Sequence, residues 1–305
     1  MSFKLNIDAS PIYELLSSFM IYTTRRWIAN LDLTSAWIDD IEALLEPGEL
    51  EVLQPAAQWP FSDYDILFAW AIHRQAGVSV EKFLDDLEHT PAAELTERIS
   101  TLLPSLTAKE AEMIRSRYLP LLRLWHTRYF SGIAREMETA LLEDAEDKRS
   151  LLSKMEPSAF IEYATGGLVM DAKLHMKEVI LLPTVHFKPL NTYCFYNELL
   201  CIQYPLDESE PSGKEPPSIL LRLTQALASS ERLRLLRIVA EGPKTLDEIQ
   251  AAAYMPEELV RQHLMQLRSA GLLRIHLEGP DSERIGIRRD GAAELQIFLE
   301  TYIGL

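Results

Sequence analysis

Apolar positions recur at helical spacing over most of the first half of the 305-residue chain. Ile12, Leu15, Leu16 and Phe19 fall at i, i+3, i+4 and i+7, and Trp37, Ile38, Ile41, Leu44 and Leu45 repeat the arrangement, so each set lines one face of a helix. Pro47-Gly48 and Trp59-Pro60 interrupt the pattern. Beyond them, 64–75, 80–88, 91–103 and 108–147 read as further helices, the last bent at Pro120. After the helix-breaking pair Gly166-Gly167 the texture changes. Segments 178–182 and 192–204 are rich in Val, Ile, Tyr, Phe and Cys, with a turn at Asn197-Glu198, which predicts a small β-sheet or hairpin attached to a helical body.

The stretch 207–218, DESEPSGKEPPS, is polar and holds three prolines and a glycine, a composition that blocks helix and disfavours strand. It reads as a linker, dividing the chain into a helical dimerisation or effector domain at 1–206 and a second domain at 219–305. In the second domain, helices are predicted at 219–228, 231–240, 245–252 and 256–270. The third opens on Thr245 with Glu248 three residues on, a capping box in which each side chain satisfies an orphan backbone N–H. Segments 272–277 and 284–289 read as two strands of a hairpin around the acidic tip 278–283, and 291–303 closes as an amphipathic helix through Leu295, Phe298, Leu299 and Tyr302. The expected fold class is therefore mainly α with small β elements.

Length and a hydrophobic content of 47% suit two packed domains. No apolar run approaches the ~20 residues of a spanning helix, and the opening MSFKLNIDAS lacks the basic-then-apolar order of a secretory signal, so a cytoplasmic protein with no membrane partner is expected. The net charge of −16 argues against nonspecific nucleic-acid binding by the whole molecule. The charge is unevenly spread. From Pro216 onward there are 11 Lys and Arg against 12 Asp and Glu, and before it 19 against 34, so any DNA contact belongs to the back. Cys194 and Cys201, the two cysteines, read as reduced structural thiols.

Residues 226–237 (ALASSERLRLLR), the stop at 240–243 (AEGP) and 263–272 (HLMQLRSAGL) resemble the ArsR family of winged-helix repressors. The resemblance implies a dimer on double-stranded DNA, with recognition helices in successive major grooves, wings along the backbone, and dimer contacts through the first and last helices at 219–228 and 291–303. Metal and arsenical sensors of that family carry a cysteine-containing box in the helix before the recognition helix. Here that helix, 245–252, has no cysteine, so a sensor of that type is not expected, nor is a metal or other cofactor.

The helix opening at Pro256 has two faces: Val260, Leu264 and Leu267 form an apolar stripe, while Glu258, Arg261, Gln262, Met265 and Ser269 point away from it. Arg261 and Gln262 are the base-contact candidates, since Arg bridges guanine O6/N7 and Gln bridges adenine N6/N7. Lys244, Arg268, Arg284 and Arg288 are candidates for phosphate neutralisation. Glu258 either accepts from a cytosine amino group or favours the positive end of the helix dipole. His263, bordering the stripe, reads as a packed and hydrogen-bonded histidine.

The front resembles a helical region that precedes such winged helices in some regulators, without a ligand motif. Arg115, Arg117, Arg123, His126 and Arg128 concentrate positive charge beside Tyr118, Trp125 and Tyr129. They form either a pocket for an anionic small-molecule effector or, the favoured reading, salt bridges to neighbouring helices. No enzyme signature is present. The expected function is a dimeric, sequence-specific transcription regulator, a repressor, with the alternative that the winged helix serves as a protein-interaction module.

Overall fold

The computed structural model describes residues 3–207 and 215–305. In chain order these form β1 (Lys4–Ile7), α1 (Pro11–Thr24), α2 (Ser35–Leu44), α3 (Pro47–Leu53), α4 (Asp63–Ile72), α5 (Val80–His89), α6 (Ala92–Arg98), α7 (Ala108–Arg128) and α8 (Ala134–Leu152). Next come α9 (Pro157–Thr165), β2 (Leu168–Met170), β3 (Glu178–Thr184), β4 (Thr192–Phe195) and β5 (Leu199–Pro205). The remainder is α10 (Ser218–Leu227), α11 (Ser230–Ala240), α12 (Leu246–Ala253), α13 (Glu257–Ser269), β6 (Leu273–Gly279), β7 (Ser282–Ile287) and α14 (Asp290–Ile303). The fold is mainly helical with small sheets, as the periodicity predicts. No described helix is long and apolar enough to cross a membrane.

Two compact units result, one of Ser2–Ser150 with Met176–Leu206 and one of Leu151–His175 with Asp207–Leu305. The division thus differs from a single boundary after residue 206, because 151–175 group with the C-terminal residues. Residues 208–214, most of the expected linker, lie outside the described residues.

In the first unit, α1 is the core element. Ser10 caps its N-terminus by accepting from the Ile12 N–H at 3.3 Å, Pro11 follows, and every residue from Ile12 to Thr23 is buried. A helix buried all round must satisfy its polar groups internally. Glu14 accepts from Thr184 Oγ1 at 2.5 Å and from the His186 N–H at 3.1 Å, Ser17 Oγ accepts from Gln203 at 2.7 Å, and Ser18 Oγ accepts from Trp125 Nε1 at 3.0 Å. Around α1 pack α4, α5, α7 and β3. The sheet runs β1-β3-β5-β4, with β1, β3 and β5 parallel and β4 antiparallel to β5. β3 and β5 are buried along nearly their whole length, which is why they read as continuous apolar runs rather than alternations. The hairpin turn at Asn197-Glu198 falls where expected.

The expected single helix over 108–147 is two helices. α7 continues through Pro120 to Arg128, and the break comes at 129–133, where Phe130 turns fully inward and a short 3-10 turn over Phe130–Gly132 leads to α8. One proline removes one backbone donor, which the packing of Tyr118, Leu121, Leu122 and Trp125 outweighs.

The second unit is built on α10–α14 and the β6–β7 hairpin, with Leu223, Leu235, Val239, Ile249, Val260 and Leu267 at its centre, each 1% exposed or less. Its sheet has a third strand, in the order β2-β6-β7, because β2 pairs in parallel with β6. Gly166, at φ 65°, ends α9, and Gly167, at φ 131°, brings its backbone against β6, accepting from the Ile275 N–H at 2.8 Å. The Arg274 guanidinium hydrogen-bonds Glu162 of α9 and ties the same extension down.

Candidate nucleic-acid interface

The helix-turn-helix is α12 and α13 supported on α11. Ser229 Oγ caps α11 by accepting from the Arg232 N–H at 3.3 Å. The capping box of α12 forms as the sequence predicts, with Glu248 accepting from the Thr245 N–H at 2.8 Å and Thr245 Oγ1 accepting from the Glu248 N–H at 3.3 Å. Tyr254 closes α12 in the left-handed conformation at φ 52°, and Pro256 sets the entry to α13. Arg232 fixes α13 in place: its guanidinium donates to Gln266 Oε1 at 2.6 Å and to the carbonyls of Ala226 and Gln225 at 2.6 and 2.7 Å.

On α13 the two predicted faces separate cleanly. Val260, Leu264 and Leu267 are buried, while Glu257, Glu258, Arg261 and Gln262 are exposed and Met265, Arg268 and Ser269 are half-buried at the edge. Gln262 has no protein partner among the described residues, so its amide is unengaged. Arg261 is held by Glu257 one turn back, Nε to Oε1 at 2.8 Å. Glu257 and Glu258 occupy the first turn, where the helix dipole favours them and where they add negative charge to the exposed face.

The other expected contacts fall in two groups. Lys244 makes an isolated strand-like bridge to Ile285 of the wing, accepting from its N–H at 2.7 Å and donating to its carbonyl at 3.0 Å, and its ammonium lies 3.5 Å from Glu241. Arg284 lies on the wing with Nη1 at 3.0 Å from Glu248 and Nε at 3.1 Å from Glu278. The Glu248 carboxyl is held below the usual carboxylate range, first by the Thr245 N–H and then by Arg284. Arg288 behaves differently from a surface cation. Its side chain is 18% exposed, it pairs with Glu294 of α14, and it donates to the Gly271 carbonyl at 3.1 Å, a brace between α14 and the end of α13. His263, expected to be packed and hydrogen-bonded, is half-buried, and its Nδ1 has no hydrogen-bond partner among the described residues.

Tyr254 was not among the sequence candidates. Its side chain is 92% exposed in the turn just ahead of α13.

The five basic residues of the front do not converge on a shared pocket. They are strung along α7, each engaged separately. Arg115 donates to the carbonyls of Thr90 and Leu87 at 2.5 and 3.3 Å and pairs with Glu112. Arg123 pairs with Asp85 at 2.7 Å and with Glu88, and Arg128 with Glu49 and Glu46 at 2.7 and 3.2 Å. His126 Nε2 lies 3.3 Å from Glu81, and Arg117 lies over the Trp59 ring at 5.8 Å. Carboxylates and carbonyls engage Arg115, Arg123, His126 and Arg128 one by one, and Arg117 rests on an aromatic ring, so the cations are spread along the helix and not gathered around one site.

Residues 229–274 match the family described as bacterial regulatory protein, arsR family, which makes this stretch of α11, α12, α13 and the start of β6 a helix-turn-helix domain of the DNA-binding transcription-regulator kind. The match covers the C-terminal unit in part and none of the first unit. No curated protein and no solved structure matches the chain.

Proposed function

We propose that the chain is a sequence-specific DNA-binding transcription repressor that works as a homodimer and does not sense metal through a cysteine box in α12. The observation that carries this reading is α13 itself. It is anchored on one face by Val260, Leu264 and Leu267 and open on the other at Arg261 and Gln262, within a stretch that matches a family of bacterial regulators. Arg261 pairs with guanine and Gln262 with adenine, Glu258 accepts from a cytosine amino group where one is in register, and Met265 borders the same face. Lys244 and Arg284 at the wing, with Arg268, neutralise the flanking backbone. Arg288 drops out of this set because Glu294 and Gly271 already engage it.

Support for the dimer comes from α14. Among its described residues only Gly291 is buried, while Ile297, Leu299, Tyr302 and Ile303 are 42–58% exposed, and α10, which packs against it, exposes Leu221. Apolar side chains concentrated on one terminal pair of helices suit a two-fold interface that sets two copies of α13 on two half-sites.

Gel-shift titration of the full chain against its own promoter region at low salt tests the reading. A complex that prefers one sequence over scrambled competitor supports it. Absence of any preferred complex, with the protein folded and dimeric, overturns it. The acidic first turn and the Arg261–Glu257 pair favour a second reading, in which α13 docks a protein. That reading requires function to survive Arg261→Ala together with Gln262→Ala, which the first forbids.

A further inference from the structure

The first unit contains a cavity of about 110 Å³ between α1, α4 and the β4–β5 hairpin. Its volume approaches the ~150 Å³ of apolar cavities that take up a benzene ring. The walls are aromatic, formed by Trp27, Phe61, Tyr64, Phe68 and Tyr193. Into this lining α4 places one carboxylate, Asp65.

Asp65 lacks the cationic partner that several other carboxylates of this unit have. Asp8 is clamped by Arg74 at 2.8 Å, Asp85 by Arg123 and Glu49 by Arg128. Among the described residues Asp65 Oδ1 accepts only from the Cys194 thiol at 3.3 Å, a weak donor, and no Lys, Arg or His pairs with the carboxylate. Burial is the main influence on it and pushes its pKa up. Cys194 and Cys201 face each other across β4 and β5, and burial pushes both thiols up as well, so neither supplies a counter-charge or a ready nucleophile. Of the other polar groups at the wall, Thr192 donates to Gln203 Oε1 at 2.9 Å, Gln203 donates to Ser17 at 2.7 Å, and the Tyr64 hydroxyl lies 2.7 Å from Thr23 Oγ1.

A half-buried carboxylate with no cationic partner among the described residues, set among aromatic rings, is complementary to a cation with an apolar body. The carboxylate supplies a charge-assisted hydrogen bond, and the rings attract both the positive charge and the hydrocarbon. An anion would meet Asp65 directly, and a neutral ring would leave it unpaired. We propose that this cavity binds a small primary amine with a ring-sized apolar body, its ammonium on Asp65 and its body against Trp27, Phe61 and Tyr193. This site is separate from the Arg115–Arg128 cluster and selects the opposite charge. It does not depend on the DNA-binding reading.

Isothermal titration calorimetry of the full chain with benzylamine, benzyl alcohol and benzoate tests it. Saturable one-to-one binding in the order benzylamine, then benzyl alcohol, then benzoate is expected. Asp65→Asn should weaken benzylamine by at least about tenfold while changing benzyl alcohol by less than about twofold, the loss of a charge-assisted bond. Thr192→Phe, on the half-exposed edge strand β4, should fill the cavity and abolish both. No saturable binding of benzylamine at millimolar concentration, benzoate binding best, or unchanged benzylamine affinity in either folded variant would overturn the proposal. Should Asp65→Asn not fold, the order of the three probes on the unaltered protein and the Thr192→Phe result decide.

Discussion

Arg261 Nε lies 2.8 Å from Glu257 Oε1, one helical turn toward the N-terminus of α13, with both side chains at least half exposed. Glu ahead of Arg at this spacing is the favourable orientation, and an exposed pair of this kind contributes only about 0.3–0.5 kcal/mol. Glu257 therefore holds Arg261 in place without trapping it, which leaves the guanidinium available for the guanine contact proposed for it. Arg261→Ala should weaken operator binding by about 1–3 kcal/mol and flatten the base preference at a single position. Glu257→Gln should tighten it a few-fold by removing both the competitor and a negative charge near phosphate. Fluorescence anisotropy against an operator substituted base by base checks both. Uniform weakening of all sequences by Arg261→Ala would instead assign this residue to the backbone.

Gly167 is required by geometry at two levels. Its φ of 131° is accessible to few other residues, and a Cβ there would sit 2.6 Å from the Leu273 carbonyl oxygen. Gly167→Ala must push β2 away from β6 and lose the bond from the Ile275 N–H. A loss of at least about 2 kcal/mol is expected, against a much smaller change for Gly48→Ala, whose Cβ would meet nothing within 4 Å. Urea denaturation of both variants measures the difference.

What the sequence made legible follows from locality. The buried stripe of α13 is set by spacings of three and four residues, and the Thr245–Glu248 capping box by a spacing of three, so both are visible without tertiary information. The β-elements were legible only where their partners are near in the chain. β4 and β5 meet through the turn at Asn197-Glu198, whereas β1 finds β3 across more than 170 positions and β2 finds β6 across more than 100. Four residues of β1 and three of β2 are too short for alternation to register. The grouping of 151–175 with the C-terminal unit was hidden for the same reason, since β2 is what attaches it. At the candidate site, residue type identified the cations but not their partners: Arg288 and Arg261 look alike in sequence, and only Glu294 and Gly271 make the first a brace.

The exposed apolar side of α14 predicts association. Leu299→Glu with Ile303→Glu, two exposed residues one turn apart on that side, should convert a dimer to a monomer while leaving the unit folded, because neither side chain is buried within it. Sedimentation equilibrium reads the mass and circular dichroism the fold. A chain that is monomeric before substitution would remove the dimer from the proposed function.

Glu14 organises the core of the first unit. At 0% exposure it accepts from Thr184, from the His186 backbone and from His186 Nδ1 at 2.5 Å, and Nε2 of the same ring meets the Tyr129 hydroxyl at 2.8 Å, which in turn accepts from Trp37 Nε1 at 2.9 Å. Removing one partner from such a buried network strands the others. Glu14→Ala should cost at least about 3 kcal/mol. Trp37 lies at the far end of the chain of bonds, so its fluorescence in a urea titration follows the loss.

Asp65 carries the last prediction, one of sign. Burial raises its folded pKa above the ordinary value for Asp of about 3.9, so folding favours the protonated carboxyl. The native state then holds its proton to higher pH than the unfolded chain does. The resulting destabilisation is absent below the unfolded pKa and grows as pH rises through the folded one, where the carboxyl must ionise with only the Cys194 thiol to receive it. Asn has the same shape, keeps an oxygen for that thiol and carries no charge. Asp65→Asn should therefore be more stable than the unaltered chain at pH 7, with the advantage shrinking toward pH 4. Thermal melts of both proteins across that interval give the comparison, each made without added amine. A variant that is less stable at pH 7 would mean that the carboxylate is already compensated by a charge, and would count equally against an amine site in the cavity it faces.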